Sequence, residues 1–224
     1  GPNSFTSTLQ NPTIVGASTL AAGVYSVNAT ALGCTGANGT INVVVNPIPA
    51  TPTPGSNSPI CEGQTLNLTT PFVLGASYNW TGPNSFSSTL QNPSIVATTS
   101  LAAGVYSLGV TVLGCTSATG TINVIVNPIP ATVVVGSNSP LCAGQTLSLT
   151  ASTIVGATYN WSGPNTFTSN IQNPTIPGAS TLATGVYSVN VTVLGCTGSS
   201  ATLSVLVDPP VPAPTAGSNS PICE

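Results

Sequence analysis

The sequence predicts an all-β protein, a tandem array of small sandwich domains with an 81-residue repeat. Three observations predict it. The stretch CEGQTLNLTTPFVLGASYNW, residues 61–80, returns as CAGQTLSLTASTIVGATYNW at residues 142–161 and begins a third time at Cys223. Every other landmark keeps the same step of 81: GPNSF at Gly1, GPNSF at Gly82, GPNTF at Gly163, and the cysteines at 34, 115 and 196. A fixed period of this length, with core residues in each unit, marks a string of domains and not one fold of 224 residues. The third observation is the apolar/polar alternation at β spacing, with no helical period anywhere along the chain.

Cut at this period, the chain is expected to hold the C-terminal part of a repeat (1–46), two complete repeats (47–127 and 128–208) and the N-terminal start of another (209–224). It reads as a window on a longer repetitive protein. Half a sandwich is not expected to be stable alone, because it lacks the partner sheet that would bury its apolar face.

Within one repeat the elements follow in order. The Pro-rich stretches NPIPATPTP (46–54), NPIPATVVV (127–135) and DPPVPAPTA (208–216) mark the joints. Proline at this density fixes φ and favours extended backbone, so the joints are expected to act as semi-rigid spacers. GSNSPICEGQ is dense in turn formers, and Thr65-Leu66-Asn67-Leu68-Thr69 then alternates like a half-buried strand. Ala76-Ser77-Tyr78-Asn79-Trp80 reads as the next strand, stopped by Gly82-Pro83-Asn84 in a turn. Pro93-Ser94-Ile95-Val96 is a short strand. Residues 104–112 form the longest alternation, with Tyr106, Leu108, Val110 and Val112 on one face. Leu113-Gly114 is a two-residue hairpin turn, after which 121–126 returns antiparallel. About seven short strands per unit make a β-sandwich.

Charge excludes more than it suggests. There is no Lys, Arg or His, and the only acids are Glu62, Asp208 and Glu224. Nucleic-acid binding and attraction to acidic membranes both need clustered cations. Acid/base catalysis near neutrality draws on His, Lys or paired carboxylates, so no enzyme activity and no catalytic residue is expected. No cofactor is implied. Two cysteines, no His and at most one carboxylate per repeat argue against a metal site. No apolar run approaches the roughly 18 residues that would span a bilayer, so no membrane insertion is expected in this segment.

The order of these signals resembles the immunoglobulin (Ig) fold. EGQTLNLTT (62–70) looks like the second-strand pattern, Trp80 and Trp161 stand where the core tryptophan of the third strand belongs, and AAGVYSL (102–108) is similar to the tyrosine-corner run. The resemblance makes Trp80, Trp161, Tyr25, Tyr106 and Tyr187 core residues. The two core cysteine positions hold Thr70 and Leu108, so the usual disulfide between the sheets is absent. SNSPICEGQTLNLT, YNWTGPNSF, AAGVYS and LGCT followed by VNPIPATP together resemble the tandem Ig-like repeats of giant secreted surface proteins of Bacteroidota, gliding-motility adhesins among them. That resemblance implies secretion, attachment at the cell surface and a stalk role.

On the Ig strand order that the resemblance implies, Cys61 precedes the second strand and Cys115 follows the sixth. These strands run the same way, which puts the two sulfurs roughly 25 Å apart at about 3.3 Å per residue. A head-to-tail array instead brings Cys61 toward Cys196. The expected pair is Cys61–Cys196, with Cys34, Cys115, Cys142 and Cys223 pairing outside this window; pairing inside a repeat, adjacent pairing and free thiols are the alternatives. Any disulfide version implies an oxidising compartment.

The expected function is the structural stalk or fibre of a secreted, cell-surface-attached bacterial adhesin or extracellular filament. Its partners would be the neighbouring repeats and other copies in a filament, or a surface glycan or protein. Two rivals stand beside it. One is a repetitive glycan- or protein-binding module acting by avidity, which needs aromatics exposed in every unit. The other is a filament of chains joined by β-strand complementation. Phe86 and Phe167, just past the GPN turns, are candidates for exposed contact or for packing against the joint.

Overall fold

The computed structural model describes residues 1–217. Strand makes up 40% of the structure and helix 4%, the latter as three-residue 3-10 turns at Thr19–Ala21, Ser100–Ala102 and Thr181–Ala183. The chain is an all-β protein. By contact it divides into two compact units: Gly1–Ser58 with Thr65–Ile125, and Pro59–Gln64 with the chain from Val126 onward.

In the first unit the long strand Gly104–Val112 is the centre of a five-stranded antiparallel sheet. One edge pairs with Ala76–Thr81, setting Leu108 opposite Trp80; the other pairs with Gly120–Val124 and, at the hairpin end, with Cys115–Thr116. Ser87–Ser88 extends the sheet beyond Ala76–Thr81. The second layer is Gly55–Ser56, Leu66–Thr69 and Ser94–Ile95. Alternation decides which face is buried. Leu66 and Leu68, Tyr78 and Trp80, and Tyr106, Leu108 and Val110 are all buried, while their neighbours are more exposed.

The second unit repeats the plan. Its five-stranded sheet is Thr168–Ser169, Thr158–Ser162 and Gly185–Val193, flanked by Cys196–Thr197 and Ala201–Val205. The other layer is Val135–Ser137, Leu147–Ala151 and Thr175–Ile176. One core fills the space between, with Leu147, Trp161, Tyr187, Val189 and Val191 at 0% exposure. Each fully buried aliphatic side chain contributes about 1.5–3 kcal/mol. Two short parallel pairs complete the unit, Leu141–Cys142 with Val207–Asp208 and Ile60–Cys61 with Val126–Asn127.

Two of the Pro-rich stretches, 46–54 and 127–135, are packed down, whereas 208–216 is exposed. Pro52 and Pro54 are half-buried, and Pro52 lies so close to Gly120 that a Cβ there would overlap its carbonyl oxygen. Val133, in the next such stretch, is a member of the core. Proline cannot donate to a ladder, so these segments lie along the sandwich with few backbone bonds and were legible only as joints.

Residues 1–46 carry the same local elements without a second layer. Gly23–Val27 pairs with Gly39–Val43, and Thr30–Ala31 with Cys34–Thr35.

Candidate functional site

Three local devices recur, and each rests on residue types that the motifs supply. The first clamps the corner tyrosine. The Tyr106 hydroxyl donates to the Ala102 carbonyl at 2.9 Å, Tyr187 to Ala183 at 3.0 Å, and Tyr25 to Ala21 at 2.8 Å. Gly82 and Gly163 lie flat against the Tyr106 and Tyr187 rings, where any Cβ would sit 2.4 Å from a ring carbon. Phe86 then meets Tyr106 edge-on at 5.4 Å, and Phe167 meets Tyr187 at 5.5 Å. The phenylalanines therefore pack on the tyrosine of their own unit. Burial pushes the Tyr106 and Tyr187 hydroxyls above their ordinary value.

The second device lies at Thr70 and Ala151, positions where the resemblance to the Ig fold implies a core cysteine. The Thr70 N–H donates to Asn92 Oδ1 at 2.9 Å and its carbonyl accepts from Gln91 Nε2 at 2.9 Å; Ala151 is held likewise by Asn173 and Gln172. The Gln91 and Gln172 carbonyls take the indole N–H of Trp80 and Trp161 at 3.2 Å. Amide groups thus tie the strand that lacks its cysteine to the tryptophan. Sequence reasoning passed over this Gln-Asn-Pro motif, although its recurrence at 10–12, 91–93 and 172–174 was the available signal.

The third device is built on cysteine. The turn Leu194-Gly195, both residues at positive φ (49° and 81°), closes the hairpin that presents Cys196. Glycine accepts that conformation without the Cβ penalty. Cys61 is fixed from the other side: its N–H donates to Gln64 Oε1 at 2.9 Å, and its strand runs parallel to Val126–Asn127. Cys61 and Cys196 form a disulfide with Cα atoms 5.6 Å apart, across a sequence separation of 135, inside the ordinary range for the bond. Asn127 organises the surroundings. Its side-chain amide donates to the Leu194 carbonyl at 3.2 Å, and its own carbonyl accepts the Glu62 N–H at 2.9 Å and sits 3.9 Å from Cys196 Sγ.

Cys34, Cys115 and Cys142 are free thiols, and Cys223 lies outside the described residues. The other expected site residues fall as follows. Trp80, Trp161, Tyr106 and Tyr187 are fully buried, and Tyr25 is half-buried. Among the described residues there is no group of three or more His, Cys, Asp or Glu that could hold a metal ion, and no helix long and apolar enough to cross a membrane.

No protein-family model matches the sequence, and no curated protein matches it. Solved structures do. A murine CEACAM1b structure aligns with 70% of this chain and 99% of its own at 15% identity and a TM-score of 0.43. The N-terminal eight Ig domains of Down syndrome cell adhesion molecule align with 83% of this chain and 31% of their own at 15% identity and 0.47. Three N-terminal domains of the outer capsid protein Hoc of bacteriophage RB49 align with 70% and 59% at 18% identity and 0.38.

Proposed function

We propose that the chain is part of the structural stalk or fibre of a secreted bacterial cell-surface adhesin or extracellular filament, in which Ig-like domains 47–127 and 128–208 are links and 1–46 and 209–224 are parts of the adjoining ones. The observation that carries this reading is the Cys61–Cys196 disulfide, which joins one sequence copy to the next. The tie keeps one sequence copy covalently joined to the next under load. Such a tie suits display at a distance and an oxidising, extracellular setting.

The chemistry of the surface agrees with a non-catalytic role. The chain offers no Lys, Arg or His and three carboxylates, too few for proton transfer near neutral pH. The avidity-module reading is weakened because Trp80, Trp161, Tyr78 and Tyr159 are spent in the cores.

Chymotryptic mapping under non-reducing conditions tests the proposal. A Cys61 peptide linked to a Cys196 peptide is the expected result. A Cys61 peptide linked to Cys115, or free alkylatable thiols at 61 and 196, would overturn the stalk built on tied copies.

A further inference from the structure

Asparagine does two kinds of work in this chain. Asn57 and Asn138 donate to the Thr65 and Thr146 carbonyls at 3.0 Å, Asn92 and Asn173 accept the N–H of Thr70 and Ala151, and Asn46 and Asn127 donate to the Leu113 and Leu194 carbonyls. Proline follows Asn46, Asn92, Asn127 and Asn173 directly, and stands two residues after Asn57 and Asn138. The acceptor pattern for N-linked sugar is Asn-x-Ser/Thr with x other than proline. Every one of these fold-holding asparagines is therefore outside it.

Two asparagines inside the pattern occupy the same place in successive copies. Asn79-Trp80-Thr81 lies on the strand Ala76–Thr81, and Asn160-Trp161-Ser162 on Thr158–Ser162. Strand alternation puts Trp80 and Trp161 in the core at 0% exposure and turns the asparagine and the hydroxyl outward together. Asn79, Thr81, Asn160 and Ser162 are all exposed. The side-chain amides of Asn79 and Asn160 make no hydrogen bond to any described residue. Opposite Asn79 stands Gly109, which has no side chain to crowd it. The other matches to the pattern lack one of these properties. Asn28 spends its amide on Asn38 at 3.1 Å, Asn67 gives way to Ser148 in the next copy, and Asn190 is half-buried opposite Asn160, with Gly109 at its place in the copy before.

The rest of the surface gives such a group a purpose. A net charge of −3 with no Lys or Arg provides little repulsion between chains, and Val105 and Val186 are exposed on the same two sheets. A bulky polyhydroxylated substituent on each sheet supplies the hydration and separation that charge does not.

We propose that Asn79 and Asn160 are sites of N-linked glycosylation, one on the outward sheet face of each complete copy. The inference goes beyond the stalk reading and does not depend on it. The donor is a glycosyl diphosphate. Asparagine Nδ2 bonds to the anomeric carbon, the bond from that carbon to the diphosphate oxygen breaks, the diphosphate leaves with the electron pair, and the amide gives up one proton.

The test uses the full-length protein isolated from the cells that export it. It is digested with elastase without reduction, and the peptides are fragmented under conditions that retain side-chain sugars. A sugar on Asn79 and on Asn160 is expected, with Asn92 and Asn173 bare. Thr81→Val and Ser162→Ala, made in the same cells, are expected to abolish the sugar at Asn79 and Asn160 respectively. Thr81→Ser, which keeps the hydroxyl, is expected to keep it. A bare asparagine at either position, a sugar on the Thr81 or Ser162 hydroxyl instead, or a sugar that survives Thr81→Val overturns the proposal. The Cys61–Cys196 peptide is scored in the same digest. Bare asparagines with that peptide present sink only this inference, whereas loss of that peptide with the sugars in place sinks only the stalk reading.

Discussion

Residues 185–205 and 23–43 begin from nearly the same sequence and arrive at different degrees of order. Both form the hairpin with its threonine pair, Thr192 to Thr197 at 2.8 Å and Thr30 to Thr35 at 2.9 Å, and both place the tyrosine hydroxyl on an alanine carbonyl four residues back. Yet Val189 is fully buried, whereas its counterpart Val27 is 69% exposed. The strand Gly185–Val193 runs nine residues, and its counterpart Gly23–Val27 runs five. Two causes act together. Thr158–Ser162 pairs the whole middle of the longer strand, and Ala29 and Ala31 stand where Val191 and Val193 stand. Alanine is the weaker strand former and buries less. Local motifs thus build the corner and the hairpin, while strand length comes from the neighbouring strand Thr158–Ser162 and burial from that strand and the facing layer together.

The sharpest way to break this comparison is to empty the core of the complete copy. Trp161→Ala removes a fully buried indole, and a loss of about 3–5 kcal/mol is expected from urea unfolding followed by tyrosine fluorescence. A loss below about 1 kcal/mol would mean that the strand carrying Trp161 is not what separates the two regions. A smaller effect is expected from the hydroxyl. Tyr187→Phe leaves the Ala183 carbonyl without its side-chain donor in a buried corner, at a cost of about 1–2 kcal/mol, whereas Tyr25→Phe should shift the same transition by less than about 0.5 kcal/mol. Equal costs would show that the corner is worth the same with or without the facing sheet.

The smallest effect is one of pH. Burial raises the Tyr106 and Tyr187 hydroxyls above the ordinary value of 10.0, so the unfolded chain releases these protons before the folded one does. Their contribution is fully present below pH 10 and is lost as pH rises through the folded values. Urea midpoints measured at pH 8 and pH 11 should fall with pH, and Tyr187→Phe should reduce the fall. A midpoint that holds or rises would contradict the burial argument.

Much of this was legible in the sequence, for reasons that particular residues show. Alternation along residues 104–112 specified the buried face of Tyr106, Leu108 and Val110, because period-two burial needs no knowledge of the partner strand. Leu113-Gly114 declared its turn through the one residue type that takes positive φ freely. The docking of Pro52 and Val133 was not legible, since a proline-rich run looks the same whether it is free or packed. Nor was the amide tie of Gln91 and Asn92 to Thr70, which depends on backbone groups brought together from 21 and 22 residues away. The edge contact of Phe86 with Tyr106 was not legible either, because spacing alone does not say which ring an edge will meet.

The bond between Cys61 and Cys196 also sets where tension travels. A pull applied to the chain before Cys61 and beyond Cys196 crosses from one sulfur to the other, and the residues between them bear no load. That detour holds 135 residue steps, about 450 Å of extended backbone. While the bond stands, the strands between the two sulfurs are sheltered from the pull, and only flanking ones such as Gly55–Ser56 and Ala201–Val205 feel it; once it is reduced, the same pull reaches the loop and that slack becomes available.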